Sequence, residues 1–210
     1  MKSKYGIDYK ISVLERGIDK EVSKIFHDCY SKANKTKIFD EDDGTYIETI
    51  VDMTEWSNWV KENKEKPKYD CAMRLNISKY NKAKKVRKKI AKLCESNNAV
   101  FITLTFTDEV LSKTTAQTRR RYVARYLKEQ SKVYVANIDF SPDKNREHYH
   151  AVIQGEADLS KWVYGYSYAE HIKTSDNDLM KTSKYVSKLT SHALKVCQTT
   201  PRLIYSRDTI

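Results

Sequence analysis

Val133-Tyr134-Val135-Ala136-Asn137-Ile138-Asp139-Phe140, followed by Ser141-Pro142-Asp143-Lys144-Asn145 and, after Arg146-Glu147, by His148-Tyr149-His150-Ala151-Val152-Ile153-Gln154, is the stretch whose reading decides the fold. Both flanks are rich in β-branched and aromatic residues and the middle is built of turn formers, so the segment reads as two antiparallel strands joined by a turn. Side chains two apart on a strand share a face. His148 and His150 therefore point one way and Tyr149 the other, and the hairpin brings Asp139, near the end of its first strand, beside both imidazoles. Two neutral imidazoles and one carboxylate suit Mg²⁺ or Mn²⁺ and leave positions open for a substrate oxygen, with zinc a weaker variant. Two histidines also occur in ordinary strands, so the donor set needs support from elsewhere in the chain.

Working outward, Ala99–Phe106 is too short for a helix and too apolar for a loop, and it reads as a buried strand. A helix is expected from about Thr115 or Thr118 to Gln130, exposing Arg119, Arg120, Arg121 and Arg125 around Tyr122, Val123, Tyr126 and Leu127. Beyond the hairpin, a Gly155–Gly165 loop precedes a strand over Ser167–Lys173, an amphipathic helix over Leu179–Leu194 and a last strand over Leu203–Ser206. The order β-α-β-β-β-α-β predicts an α+β fold, an antiparallel sheet of about five strands with helices on one face.

The chain has 210 residues and a net charge of +11, room for one core of ordinary size and an appendage. Residues 1–70 carry 13 Lys/Arg against 15 Asp/Glu, so all the excess positive charge lies downstream. A break is expected near Pro67, which closes a helix capped by Thr54 and faced by Trp56, Trp59 and Val60. Before it, Asp40–Gly44 reads as an acidic turn and Tyr46–Val51 as a short strand. This gives an N-terminal α/β extension, 1–70, without visible chemistry, and a second domain, 71–210, that opens with a basic helix at 73–95 and carries its core at 97–207. Met73–Lys92 holds nine Lys/Arg and no acid. Lys84, Lys85, Arg87 and Lys88 there, with Arg119, Arg120 and Arg121, are candidate contacts to a polyanion such as a nucleic-acid backbone.

Other classes fall away. No stretch is long and apolar enough for a membrane span, and the polar start lacks a secretory core, so a cytoplasmic protein is expected. The cysteines Cys29, Cys71, Cys94 and Cys197 form no C-x-x-C pair, which removes zinc-knuckle and disulfide frameworks. None of the five glycines begins a G-x-x-x-x-G-K-[ST] loop, so ATPase and helicase activity are not expected.

Tyr185 and Lys188 lie three residues apart on the last expected helix, on one face. A tyrosine beside a divalent ion can attack phosphorus, although Tyr-x-x-Lys alone equally describes a packed ring beside a surface lysine. Phe101-Ile102-Thr103-Leu104-Thr105-Phe106-Thr107-Asp108-Glu109, then His148-Tyr149-His150, then Tyr185-Val186-Ser187-Lys188 resemble, in order and spacing, the three motifs of rolling-circle replication initiators of the HUH endonuclease superfamily. The likeness is to single-tyrosine initiators of small circular single-stranded DNA phages (gokushovirus-like) and related plasmids, including Trp162-x-x-Gly165 and Tyr205-Ser206-Arg207. It covers about residues 95–207.

That resemblance implies a ferredoxin-like, RRM-like sheet and a site-specific nickase acting through a 5′-phosphotyrosyl intermediate. It implies Tyr185 as nucleophile with Lys188 beside it, and Mg²⁺ or Mn²⁺ held by His148, His150 and an acidic residue. The family usually has glutamate nine residues before the first histidine; here that position is Asp139, and Glu147 is the alternative. The implied partners are single-stranded or cruciform origin DNA, a host helicase and a host polymerase. Tyr164, Tyr166 and Tyr168 are available for base stacking, and Thr103 and Thr105 for support of the site from the neighbouring strand. A single-tyrosine HUH transposase and a non-catalytic basic nucleic-acid-binding module are the alternatives; relaxases fit less well, because their tyrosine precedes the HUH motif.

Overall fold

The computed structural model describes residues 4–40, 45–95, 98–141, 146–172 and 175–206. The expected turn over 142–145, most of the acidic turn before Tyr46, and Lys173 and Arg207 lie outside the described residues. The chain divides into two compact units, Met1–Ile77 and Ser78–Ile210.

In the first unit, α1 (Ile7–Glu15) and α2 (Ile18–Lys32) meet at Gly17, whose φ of 71° strains any residue with a Cβ. Neither helix is foreseen in the sequence analysis. Strands β1 (Lys35–Asp40) and β2 (Thr45–Ile50) form an antiparallel hairpin. In α3 (Thr54–Asn63), Thr54 is the first helical residue and not the cap; the Asp52 Oδ1 atom accepts the Thr54 amide at 2.8 Å. Trp56 stacks on Trp59 at 5.2 Å and meets Phe26 edge-on. Pro67 does not close this helix. It opens α4 (Pro67–Cys94), where a missing amide N–H removes no helical bond. The expected basic helix is thus the later part of a longer one, and the boundary between units falls within it.

The second unit continues with β3 (Ala99–Thr105), α5 (Asp108–Lys113), α6 (Ala116–Gln130), β4 (Tyr134–Phe140), β5 (Glu147–Gln154), β6 (Ser167–His171), α7 (Asp176–Ser187), α8 (Ser191–Cys197) and β7 (Ile204–Tyr205). The five strands form one antiparallel sheet in the order β6-β3-β5-β4-β7, so the α+β class and the five-stranded sheet are as expected. Ile102, Leu104, Ile138, Tyr149, Ala151 and Ile153 on one face pack against Val123, Tyr126 and Leu127 of α6 and Ala193 of α8. Each large side chain fully buried there contributes about 2–3 kcal/mol. A smaller second layer sits on the other face, where Val135 and Val152 meet Val86, Ile90 and Leu93 of α4 and Val186 of α7.

The Trp162-x-x-Gly165 segment is packing. Trp162 is buried against Phe106 and Tyr126, and its Nε1 donates to the Thr105 carbonyl at 3.0 Å. Gly165 runs so close to β3 that a Cβ there would meet Phe106 Cα at 2.8 Å.

The single helix expected over Leu179–Leu194 is two. Lys188 leaves helical conformation (φ −54°, ψ 140°), and Thr190 caps α8 by accepting the Ala193 amide at 3.1 Å. The Lys188 carbonyl takes its hydrogen bond from Asn137 Nδ2 at 2.8 Å. A side chain on β4 thereby replaces the amide that a continuous helix would supply.

Candidate metal centre and nucleophile

The register of the sheet builds the site. Asp139 lies opposite His148, and His148 opposite Thr105; one row along, Asn137 lies opposite His150, and His150 opposite Thr103. All six therefore share the face that carries α4 and α7. The ligating atoms of Asp139, His148 and His150 lie within 4.8 Å of one another, and this group could hold a metal ion. His148 Nε2 and His150 Nε2 stand 3.7 and 3.6 Å from Asp139 Oδ2, beyond hydrogen-bond distance.

The surroundings suit that role. His148 Nδ1 lies 3.2 Å from the Arg146 carbonyl, and His150 Nδ1 lies 3.2 Å from Thr103 Oγ1. The Arg146 carbonyl favours the His148 tautomer that leaves its Nε2 lone pair for a cation, the usual arrangement around ligating histidines, and the Thr103 hydroxyl can accept from His150 Nδ1 in the same way. Burial pushes the His150 imidazole down, toward the neutral form that ligation needs. Asp139 is almost completely buried, which by itself raises its carboxyl; contacts with His148, His150, Lys188 and the Phe140 amide outweigh burial and hold it well below the usual range. Its Oδ1 is buried without a hydrogen-bond partner, an acceptor that a cation would satisfy. The donor set and this orphaned oxygen fit a bound divalent ion.

Tyr185 projects from α7, its ring edge-on to His150 at 5.6 Å, and it is 55% exposed. The break after Ser187 turns Lys188 toward the sheet, where its Nζ donates to Asp139 Oδ2 at 2.9 Å. Phenol, ammonium, carboxylate and two imidazoles thus converge. Thr103 supports the site as the sequence suggests, whereas Thr105 donates to the Tyr166 carbonyl. Two participants are missed by the sequence reading. Asn137, buried on β4, bonds the Lys188 carbonyl and accepts from Lys82 Nζ at 3.0 Å. Burial pulls Lys82 down to about 8. Asn137 carries a legible signal, an amide in an otherwise apolar strand.

Glu147 is not the third ligand. It precedes His148 by one residue and so faces the opposite side of the sheet, where Arg119 Nε and Nη2 donate to its Oε2 at 2.9 and 2.6 Å. Arg119, expected on the surface, is buried in that pair and also donates to the Thr114 carbonyl, so it is unavailable to a nucleic acid. Arg120 donates to the Arg202 and Leu203 carbonyls, holding the segment before β7. Arg121 and Arg125 are exposed on α6, and Lys84, Lys85, Arg87 and Lys88 on α4. These two basic surfaces belong to helices on opposite faces of the sheet. Tyr164 stacks on Tyr122 at 4.1 Å, while Tyr166 and Tyr168 are exposed.

No protein-family model, curated protein or solved structure matches the chain. All four cysteines are free, and no described helix is long and apolar enough to cross a membrane.

Proposed function

We propose that the protein is a metal-dependent endonuclease and strand transferase for single-stranded DNA, which nicks a replication origin and so begins rolling-circle replication. One observation carries the reading: Tyr185 and Lys188, from the end of a single helix, meet the Asp139–His148–His150 cluster, the phenol against His150 and the ammonium on Asp139. Asp139, His148 and His150 would hold Mg²⁺ or Mn²⁺, the ions that the resemblance to HUH initiators implies, with positions left for oxygen. A bound ion would offset charge on the scissile phosphate.

The Tyr185 hydroxyl oxygen attacks phosphorus as its proton passes to solvent, to which the half-exposed ring is open; a phosphorus–Oη bond forms and the phosphorus–O3′ bond breaks. The departing oxygen takes a proton and becomes the 3′-hydroxyl that primes a polymerase, and the 5′-phosphate stays on the tyrosine. One phosphodiester replaces another, so rejoining by a later 3′-hydroxyl needs no nucleotide cofactor. Lys188 keeps positive charge beside the phosphate and Asp139. Exposed Lys84, Lys85, Lys88 and Arg121 supply backbone contacts. The substrate is single-stranded or cruciform origin DNA in a host cytoplasm, with unwinding and synthesis left to host helicase and polymerase.

The test is incubation with Mn²⁺ and origin-length single-stranded oligonucleotides, followed by a denaturing gel. A covalent protein–DNA band that EDTA abolishes is expected. Salt-sensitive binding without any such band across a pool of origin sequences would leave a non-catalytic binding module in its place.

A further inference from the structure

A cleft of about 510 Å³ opens beside the cluster, lined by Phe101, His150, Glu170, Asp178, Lys181 and Tyr185 among others. Its volume is in the range of small-ligand sites. It shares His150 with the metal-binding group and Tyr185 with the nucleophile, so a chain whose phosphate lies at those residues places the adjoining nucleoside at the cleft. Its chemistry differs from that of a phosphate groove. Glu170 and Asp178 stand in its lining beside Lys181; Asp178 also closes the first turn of α7 through Ser175, and both carboxylates offer acceptors to a hydrogen-bond donor. Each is held by one oxygen: Tyr168 Oη donates to Glu170 Oε2 at 2.9 Å, and Ser175 Oγ donates to Asp178 Oδ2 at 2.6 Å. Glu170 Oε1 and Asp178 Oδ1 have no hydrogen bond among the described residues. Phe101, stacked on His150 at 5.4 Å, and Tyr185 provide aromatic surface for a base.

We propose that this cleft is a nucleobase pocket for the nucleotide adjoining the scissile phosphate, in which Glu170 and Asp178 select a base with an exocyclic amino group, such as cytosine, over thymine. The assignment rests on the strand-nicking reading for the identity of the bound chain. Carboxylates accept from the cytosine N4 amino group. Thymine flanks its single ring N–H with two carbonyls, which meet the carboxylates unfavourably. Cytosine and thymine are of similar size, so comparing them isolates this edge from stacking and from backbone charge.

The experiment measures dissociation constants of the full chain for fluorescently labelled (dC)8 and (dT)8 in EDTA, where no cleavage is needed. Wild type should bind (dC)8 at least about fivefold more tightly, the lower end of what one well-placed base contact gives. The isosteric double variant Glu170→Gln, Asp178→Asn should hold the two within about twofold, and Glu170→Gln alone should fall between. Equal constants in wild type, or a preference that survives in a folded double variant, overturn the pocket. A covalent band with Mn²⁺ but no cytosine preference leaves nicking standing without the pocket. A carboxylate-dependent preference with no covalent band leaves the pocket standing without nicking.

Discussion

Replacing Arg119 with Met tests whether the Arg119–Glu147 pair is structural. Both side chains are buried, 8% and 3% exposed, and two guanidinium nitrogens converge on one carboxylate oxygen. Removing the cation strands a buried carboxylate, at a cost of about 3–5 kcal/mol. Arg119 also satisfies the Thr114 carbonyl where α5 passes to α6, which places the expected loss toward the upper end. Against a total stability of about 5–15 kcal/mol this is a large fraction, easily resolved in a denaturant titration. With an m-value of about 2 kcal/mol/M, the urea midpoint should drop by about 2 M. Trp162 is the only tryptophan of the second unit, so its fluorescence in a Trp56→Phe, Trp59→Phe background reports that unit alone. The double variant Arg119→Met, Glu147→Leu should recover to within about 1 kcal/mol, since an apolar replacement of both partners avoids the stranded charge. It should also bind Mn²⁺ as wild type does, because Asp139 lies on the other face. A loss under 1 kcal/mol together with a shallower salt dependence of DNA binding would make Arg119 a phosphate contact. Loss of Mn²⁺ binding in the double variant would make Glu147 a ligand.

Replacing both His148 and His150 with Ala should remove Mn²⁺ binding in titration calorimetry and abolish nicking, while DNA affinity, dominated by Lys/Arg contacts, stays within about twofold. Tyr185→Phe keeps the ring and should bind DNA normally but form no covalent adduct; a wild-type adduct mapped by mass spectrometry to another tyrosine refutes the assignment. Asn137→Leu removes the hydrogen bonds to the Lys188 carbonyl and from Lys82, costing about 1–3 kcal/mol, and by loosening the end of α7 it should slow adduct formation tenfold or more at unchanged DNA affinity. In the first unit, burial alone would raise the Asp70 carboxyl, but hydrogen bonds from Lys4, Tyr5 and Arg74 take it down to about 2. The unfolded chain therefore takes up this proton first, so the stabilisation is complete above about pH 4–5 and is lost as pH falls toward 2. Because Lys4 and Arg74 are largely exposed, the loss should be about 1 kcal/mol in urea titrations at pH 6 and pH 3, and absent in Asp70→Asn.

The strands of the second unit are legible because β-branched and aromatic runs bounded by turn formers have few other uses. The cluster of Asp139, His148 and His150 is legible because strand periodicity is strict and a hairpin fixes which residues meet. The same periodicity excludes Glu147, one residue from His148 and hence on the far face, a signal present in the sequence and left unused. The helices of the first unit carry a weaker signal: Ile18 and Val22 keep helical spacing, but short charged helices bury too little apolar surface to stand out.

By itself, then, the sequence determined the strands of the second unit, its two facing imidazoles and the carboxylate across the hairpin, all properties of local period and turn chemistry, while β1 of the first unit went unread. Tertiary structure alone decided the rest. Arg119 and Arg121 are indistinguishable as letters in a basic run, and only the buried Glu147, 28 residues away, makes one of them structural. The apolar spacing from Leu179 to Leu194 continues past Lys188. It is the Asn137 amide, 51 residues upstream, that takes the carbonyl a continuous helix would use and turns the lysine onto Asp139. The cleft beside Tyr185 joins β3, β6 and α7, elements whose nearness follows from the strand order β6-β3-β5-β4-β7. Local pattern fixes which side of an element a residue occupies; which partner meets it there depends on long-range pairings that no short window of sequence contains.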